Sequence, residues 1–548
     1  MRSIKISLAF GVSLVACAAH AQTAALSGSV SSQKEPVMEG VLVTVKKEGS
    51  SISTTVVTND KGQYVFPADR LEPGKYAVTT RAIGYVLDGP KILEIGAGKD
   101  AKVDIKLNPT RNLATQLTNG EWLNSAHGAM KDKLLLNSCS GCHTYQRIFQ
   151  SSHDADEWKQ VFTRMDTYAQ GSQPQRPQLL PTGGRGNRES LGGDALQATA
   201  DYFASISLNG PDAKDFELKT DPRPKGKATR MIVTEYDLPR KTAMPHDVIV
   251  DRRGRVWYSD FGSLFVGEMD ARTGKATDYP LPEVRKGKPH STLDLQLDPN
   301  GNIWISMMYQ AAVSMIDVET KEVKTYPYPD EWVGPTTLNS MVSAASWTVD
   351  GKVWSNNQIT REQYRLDVAT GKWENRGVAQ DLRGKRISGY GMPVDKNNNV
   401  FMPEFSGPSI GLRSAKDNST TIWETPIAGS RPRRGRVDEQ GRLWFAEFAG
   451  NAIAMLDPAS GKVTEWKMPH PYDWPYDVVP TKKGETWTGS MFTDLITRLD
   501  ANTGEMTQFL LPRSTNVRRV FVDESGQKPV FWVGSNNGAS IIKLETLD

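Results

Sequence analysis

The chain has 548 residues, which is room for several domains at roughly 100–200 residues each. Its formal net charge is only +3, so it has no field suited to nucleic acid, and no nucleic-acid partner is expected. With 38% hydrophobic and 24% charged residues it reads as globular, and its 14 Trp and 47 Gly point to a repeated all-β architecture.

Residues 1–21 read as a signal peptide. Arg2 and Lys5 form a short positive region, residues 6–16 are apolar but too short to span a bilayer, and Ala19-His20-Ala21 is a small-residue cleavage site. Leu14-Val15-Ala16-Cys17 offers the alternative of a lipoprotein anchored through Cys17. Either way the chain is exported, to be periplasmic or secreted, and no transmembrane segment is expected after the leader. Of its three cysteines only Cys139 and Cys142 remain in the mature chain, and no disulfide is expected.

Residues 25–108 alternate as short strands do, with Val41-Leu42-Val43-Thr44-Val45 and Tyr76-Ala77-Val78-Thr79-Thr80 separated by turn signals at Asn59-Asp60-Lys61-Gly62 and Glu72-Pro73-Gly74. This pattern resembles the carboxypeptidase regulatory-like domain. The resemblance implies a β-sandwich that spaces or docks its neighbours rather than a catalytic unit.

Residues 112–210 change to helical spacing. A short run over 130–138 leads into Cys139-Ser140-Gly141-Cys142-His143, a C-x-x-C-H motif. Its two thiols are spaced to form thioethers with haem vinyl groups, and the imidazole that follows is the proximal iron ligand. The competing readings are a thiol redox pair or half of a zinc site, but a zinc site needs about four ligands and there is no second C-x-x-C to complete one. From the C-x-x-C-H run one covalent haem c is expected, with Cys139 and Cys142 holding it and His143 on the iron. Helices follow over 155–168 and 194–206, divided by a Gln-, Pro- and Gly-rich loop over 171–193. The order resembles a class I cytochrome c. Such a domain has a sixth iron ligand or an open site. Met165, the only Met between His143 and Lys227, is the expected axial partner, with His153 or an open iron as alternatives. A ligand on the middle helix departs from the family, which places its Met later in a loop.

A polar linker over 213–229 precedes the longest signal in the chain. From residue 230 to 548 a unit repeats: a turn with Asp and Gly, an apolar strand with an aromatic residue, then Asp and Thr-Gly-Lys. The marks Trp257, Trp304, Trp354, Phe401, Trp444, Trp487 and Trp532 are 47, 50, 47, 43, 43 and 45 residues apart, the length of a four-stranded propeller blade. Seven copies predict seven blades, with residues 231–238 supplying the outer strand that closes the ring. The fold class expected is thus multidomain and mainly β: an N-terminal β-sandwich, a small α-helical cytochrome c domain and a C-terminal seven-bladed β-propeller.

The repeat resembles the virginiamycin B lyase (streptogramin lyase) family of propellers. Hairpin counting puts His246 and Asp260 at one edge of the first copy. The same count gives Ser343 and Asn357, Tyr390 and Glu404, Arg433 and Glu447, Tyr476 and Ser490, and Phe521 and Ser535, with His290 out of register in the second copy. These positions predict a polar ring at the top of the central channel. In the lyase family a His and a Glu from such positions work with Mg²⁺, the His as base. Here Glu447 is present, but Arg433 stands where that pattern has His, and Arg cannot serve as an imidazole base. His246 with Asp260 is the substitute pair, so the expected site is His246, Asp260, Arg433 and Glu447.

Three readings follow. The chain is a redox protein whose propeller binds a small-molecule substrate or a redox partner protein; or it is a carbon–oxygen lyase with an accessory haem; or it is a binding module that delivers electrons without catalysis.

Overall fold

The computed structural model describes residues 24–89, 91–98, 100–182 and 194–548. The leader with Cys17, and the end of the loop over 171–193, lie outside the described residues.

Seven sheets follow one another from Pro245 to Thr546, each antiparallel and built from consecutive strands. The repeated residues explain why. In the first blade Asp251 closes the hairpin by accepting the backbone N–H groups of Arg253 and Arg255 at 2.9 and 3.0 Å, while its other oxygen takes the Trp257 indole N–H at 3.0 Å. Asp298 with Trp304 and Asp438 with Trp444 repeat that arrangement, so one carboxylate ties the turn to the blade core. The Thr-Gly-Lys turns close on a glycine of positive φ, as at Gly274 (69°), whose N–H bonds to Asp270 O at 2.8 Å. The weak fourth copy keeps three strands, Val400–Pro403, Ser409–Arg413 and Thr420–Glu424. Its inner lane carries Pro393, which has no N–H for a ladder, and is held instead by Phe401 N to Pro393 O and Tyr390 N to Pro403 O, both 2.8 Å.

Met231–Asp237 closes the ring by pairing with Ser540–Thr546, as the repeat count predicts. Its other edge pairs with Ile52–Val57 of the N-terminal β-sandwich. One eight-stranded sheet therefore runs from the seventh blade through the sandwich strands Ile52–Val57, Leu42–Lys47, Gly74–Arg81 and Lys91–Ile95. The sandwich is thus bonded to the propeller along a full strand, a tighter link than a spacer requires, and it leaves neither sheet with an open edge at the seam.

The helical segment comprises α1 (Asn119–Ser125), α2 (Met130–Lys133), α3 (Gln146–Phe149), α4 (Ala155–Asp166) and α5 (Asp194–Ser205). Only α4 and α5 exceed seven residues, so this segment does not by itself establish a cytochrome c fold. The helical run expected into the motif is one turn of α-helix followed by a 3-10 stretch, Leu134–Gly141. α4 and α5 pack through Trp158 and Phe162 against Phe203, with ring centroids 5.2 and 4.9 Å apart.

This segment is not a separate body. Trp122, Leu136, Tyr145 and Phe149 share one core with Phe448, Trp474, Tyr476 and Phe492 of the propeller. α1 seats with Gly120 N on Phe492 O at 2.6 Å, and a Cβ at Gly120 would meet Thr493 Cγ2 at 2.7 Å, so only glycine permits that approach. The linker is strapped down as well: Asp221 N bonds to Glu121 Oε1 at 2.8 Å and Arg223 Nε to Glu39 O at 2.9 Å. Sandwich, linker, helical segment and sixth blade together enclose a cavity of about 600 Å³.

Candidate functional site

The inner strands of five blades share one irregularity, a β-bulge at Pro245/Val248, Thr292/Leu295, Pro432/Gly435, Pro475/Val478 and Val517/Val520. A bulge puts two residues where a regular ladder has one and re-aims both side chains. The two bulge residues form two tiers at the axis.

The lower tier is ionic and buried. Arg434 bonds Asp247 at 2.9 and 3.1 Å and also bonds Asp294. Arg519 bonds Asp247 at 3.0 Å and Asp294 at 2.9 Å, while Asp477 is held by Arg436 at 3.0 Å. Burial pushes the Asp247 carboxyl up, but Arg434, His246 and Arg519 outweigh it and hold the group well below the usual carboxylate range. For Asp294 burial wins and the carboxyl moves up. This belt joins blades one, two, five, six and seven across the axis.

The upper tier holds His246, Tyr390, Arg433, Tyr476 and Arg518. Tyr390 and Tyr476 share a hydroxyl–hydroxyl bond of 2.6 Å, Tyr476 Oη lies 3.2 Å from His246 Nε2, and His246 Nδ1 is 2.6 Å from Asp247 Oδ1. A chain of polar contacts therefore runs from the upper tier into the belt. Burial lowers the His246 pKa to about 4 despite the Asp247 carboxylate, so the ring is neutral at physiological pH and donates Nδ1–H to Asp247. The Arg433 guanidinium stacks 3.9 Å from the Tyr476 ring centre and 4.7 Å from that of Tyr390.

The expected pairings change accordingly. The partner of His246 is Asp247, because the bulge turns His246 toward the axis, while Asp260 points the other way to Arg240 and the N–H groups of Met244 and Gly262. Arg433 does not pair with Glu447. It meets Met491 Sδ at 3.2 Å, and both Glu447 carboxylate oxygens are buried without a hydrogen-bond partner. The second residues of the counted pairs belong to loop anchors instead: Glu404 accepts from Arg361 and Ser388, and Ser490 donates to Asp473 O. Phe521 pairs in register with Trp532 in the blade, and the seventh blade contributes Arg518, since its turn is longer by three residues. His290 lies off the ring, 3.3 Å from Glu283. Counting missed Asp247, Asp294, Arg434, Asp477 and Arg519. Their signal was charges of opposite sign on the inner strands: Asp247, Arg434 and Asp477 stand one position after the counted residue, while Arg519 stands two before the counted Phe521.

Glu447 supplies a pH-dependent expectation. Burial first, and the neighbouring Glu465 carboxylate second, raise its pKa to about 9. A carboxyl whose folded pKa lies above its unfolded value stabilises the fold fully below that unfolded value, near 4.5, and loses the contribution as pH rises toward the folded one. Glu447→Gln is therefore expected to be neutral to stability at pH 4.5 and to gain on wild type above it, by up to about 3 kcal/mol at pH 7. Urea denaturation of both proteins at two pH values checks this; an equal difference at both would contradict it.

The C-x-x-C-H motif lies directly above the upper tier. Ser140 O accepts from Asn516 Nδ2 at 2.7 Å, and a Cβ on Gly141 would stand 4.0 Å from Arg518 Nη2. Cys142 N closes on Cys139 O at 3.4 Å, and both thiols are half-buried. His143 Nδ1 lies 3.0 Å from Thr144 O. A carbonyl only accepts, so Nδ1 carries the proton, and burial lowers the ring pKa, which keeps it neutral with its lone pair on Nε2. That tautomer is the one a metal-binding imidazole needs, and a backbone carbonyl on the other nitrogen is the usual second partner. The donor set thus fits haem attachment. Met165 sits half-buried on the last turn of α4, one turn beyond Phe162 and two beyond Trp158. His153 Nδ1 lies 3.4 Å from Glu157 without a hydrogen bond, and its ring makes an edge contact with Trp158. Among the described residues no group of three or more His, Cys, Asp or Glu could hold a metal ion such as Mg²⁺, and no helix is long and apolar enough to cross a membrane.

Residues 25–108 match the carboxypeptidase regulatory-like domain. The propeller is similar to virginiamycin B lyase. The solved enzyme from Staphylococcus aureus is 20% identical, covers 58% of this chain and 100% of its own, and superposes with a TM-score of 0.50. A solved streptogramin B lyase is 18% identical over 59% of this chain and 100% of its own, also with a TM-score of 0.50. At these identities the likeness establishes a shared propeller fold and nothing about chemistry. No curated protein matches the chain in sequence.

Proposed function

We propose that this chain is an exported c-type cytochrome. In this reading Cys139 and Cys142 hold one haem, His143 ligates its iron, and the propeller presents a small substrate or a redox partner protein to it. Bound there, haem supplies one-electron oxidation and reduction. The observation that carries the reading is the His143 tautomer within the C-x-x-C-H motif, seated over the convergent polar end of the propeller.

The chain's own residues suit electron transfer better than elimination. Beneath the motif, His246 is neutral and enclosed by Tyr476, Phe261 and Asp247, so it is no accessible base. Glu447 holds its proton at neutral pH and faces Glu465 rather than the axis. Arg433 stays cationic. Asp260 is held by Arg240 and the N–H groups of Met244 and Gly262, so a lyase mechanism on His246, Asp260, Arg433 and Glu447 lacks both its base and its metal-binding carboxylate.

The test is a visible spectrum of the purified protein, oxidised and reduced, during addition of a metabolite panel. A compound that reduces the haem without another enzyme identifies the substrate. Spectra without haem bands would overturn the reading. We further propose Met165 as the sixth iron ligand. Met165→Ala is then expected to abolish the weak long-wavelength band that marks sulfur on ferric haem and to lower the reduction potential. An unchanged spectrum and potential would assign the position to His153 or leave the iron open.

A further inference from the structure

Two buried guanidinium groups at the axis have no anionic partner. Arg433 and Arg518 are each 6% exposed, and the Nε of each is buried without a hydrogen-bond acceptor. Among the described residues neither lies within ion-pair distance of a carboxylate, because Asp247 and Asp294 are taken by Arg434 and Arg519. Arg433 contacts the thioether of Met491, a weak acceptor, and the Tyr390 hydroxyl, and neither is a carboxylate. Both guanidinium groups lie over the Tyr476 ring, at 3.9 and 5.5 Å from its centre, and Arg518 is the group that reaches toward Gly141. Unneutralised cations are costly to bury, and two of them side by side repel each other.

We infer that Arg433 and Arg518 together form a carboxylate-binding site between the upper tier of the propeller and the C-x-x-C-H motif. Guanidinium groups are suited to bind a carboxylate through paired hydrogen bonds. The rings of Tyr390, Phe405, Phe448 and Tyr476 around Arg433 leave a flat guanidinium edge that suits a flat carboxylate. Two sources supply that chemistry: a propionate of the proposed haem, or a free carboxylate substrate. Only the first rests on the haem reading.

The experiment uses the purified full chain, with Arg433→Gln and Arg518→Gln, and sodium oxalate at constant ionic strength as the probe. If a propionate fills the site, both variants lower the haem midpoint potential and oxalate does not bind to wild type. If the site takes a free carboxylate, wild type binds oxalate saturably, each variant weakens it at least tenfold, and the potential does not move. Arg433→Lys and Arg518→Lys retain the charge and are expected to recover part of either effect, which separates loss of the site from loss of the fold. A protein that lacks covalent haem but still binds oxalate in this way defeats the haem reading and leaves the site standing. Unchanged potential together with no arginine-dependent oxalate binding would overturn the inference, and the aromatic cage alone would then account for Arg433.

Discussion

Arg434→Ala is expected to destabilise the propeller by about 3–5 kcal/mol, because it leaves Asp247 and Asp294 to share Arg519 alone, with one buried negative charge uncompensated. Arg434 neutralises both Asp247 and Asp294, and all three side chains are at most 3% exposed. The expected contrast is Arg442→Ala, which breaks a 2.7 Å pair with Asp438 whose arginine is 37% exposed. A pair so exposed contributes about 0–1 kcal/mol. Urea denaturation followed by tryptophan fluorescence compares the two. The belt also predicts coupling: Asp247→Asn in the Arg434→Ala background removes one stranded charge and should recover part of the loss. The pH dependence has a defined sign. Asp247 is depressed in the fold, so its contribution is present above its unfolded pKa, near 3.8, and is lost as pH falls through the lower folded value. Wild type should therefore lose stability in acid more steeply than Arg434→Ala. Equal costs for Arg434→Ala and Arg442→Ala would mean that the axial ion pairs are as weak as surface ones.

If the proposed haem is bound, Cys139→Ala and Cys142→Ala are each expected to weaken or abolish its covalent attachment, since each thiol would supply one thioether. The double variant should retain none after denaturation. His143→Ala should leave attachment possible but remove the proximal nitrogen, with a changed spectrum and a shifted potential. Because the motif packs on the propeller through Asn516 and the shared aromatic core, variants at the upper tier should also perturb the haem environment. That expectation differs from one based on independent domains. Haem staining on a denaturing gel reads the first effect; a redox titration reads the second. Equal haem retention in the wild type and the double variant would refute thioether attachment.

Much of the architecture was legible in the sequence because it rests on local chemistry repeated many times. Asp251, Gly254 and Trp257 form a turn-and-indole unit whose parts are close together in the chain; the first, second and fifth blades share its indole bond, and the spacing of turn and aromatic residue marks the others. The closing strand was legible because the final copy runs out of strands and Met231–Asp237 is a strand pattern directly ahead of the first blade. The site was less legible. A hairpin count assumes a regular ladder, and the bulge at Pro245/Val248 inserts a residue where the functional side chains lie. The count therefore found His246, Tyr390, Arg433 and Tyr476, which face the axis, but paired them with Asp260 and Glu447, which do not. It placed Phe521 where Arg518 stands, because the longer final turn shifts the register. The contact between motif and propeller left no trace in spacing. It joins residues such as Ser140 and Asn516 that are 376 positions apart, and only the fold brings them together.

The central claim is that Cys139 and Cys142 carry haem. Intact mass measurement of the purified, denatured protein tests it most directly. The account predicts the mature polypeptide plus one haem, retained after acid–acetone extraction and lost in the double cysteine variant. A wild-type mass equal to the polypeptide alone, from cells able to attach haem to exported proteins, would contradict it.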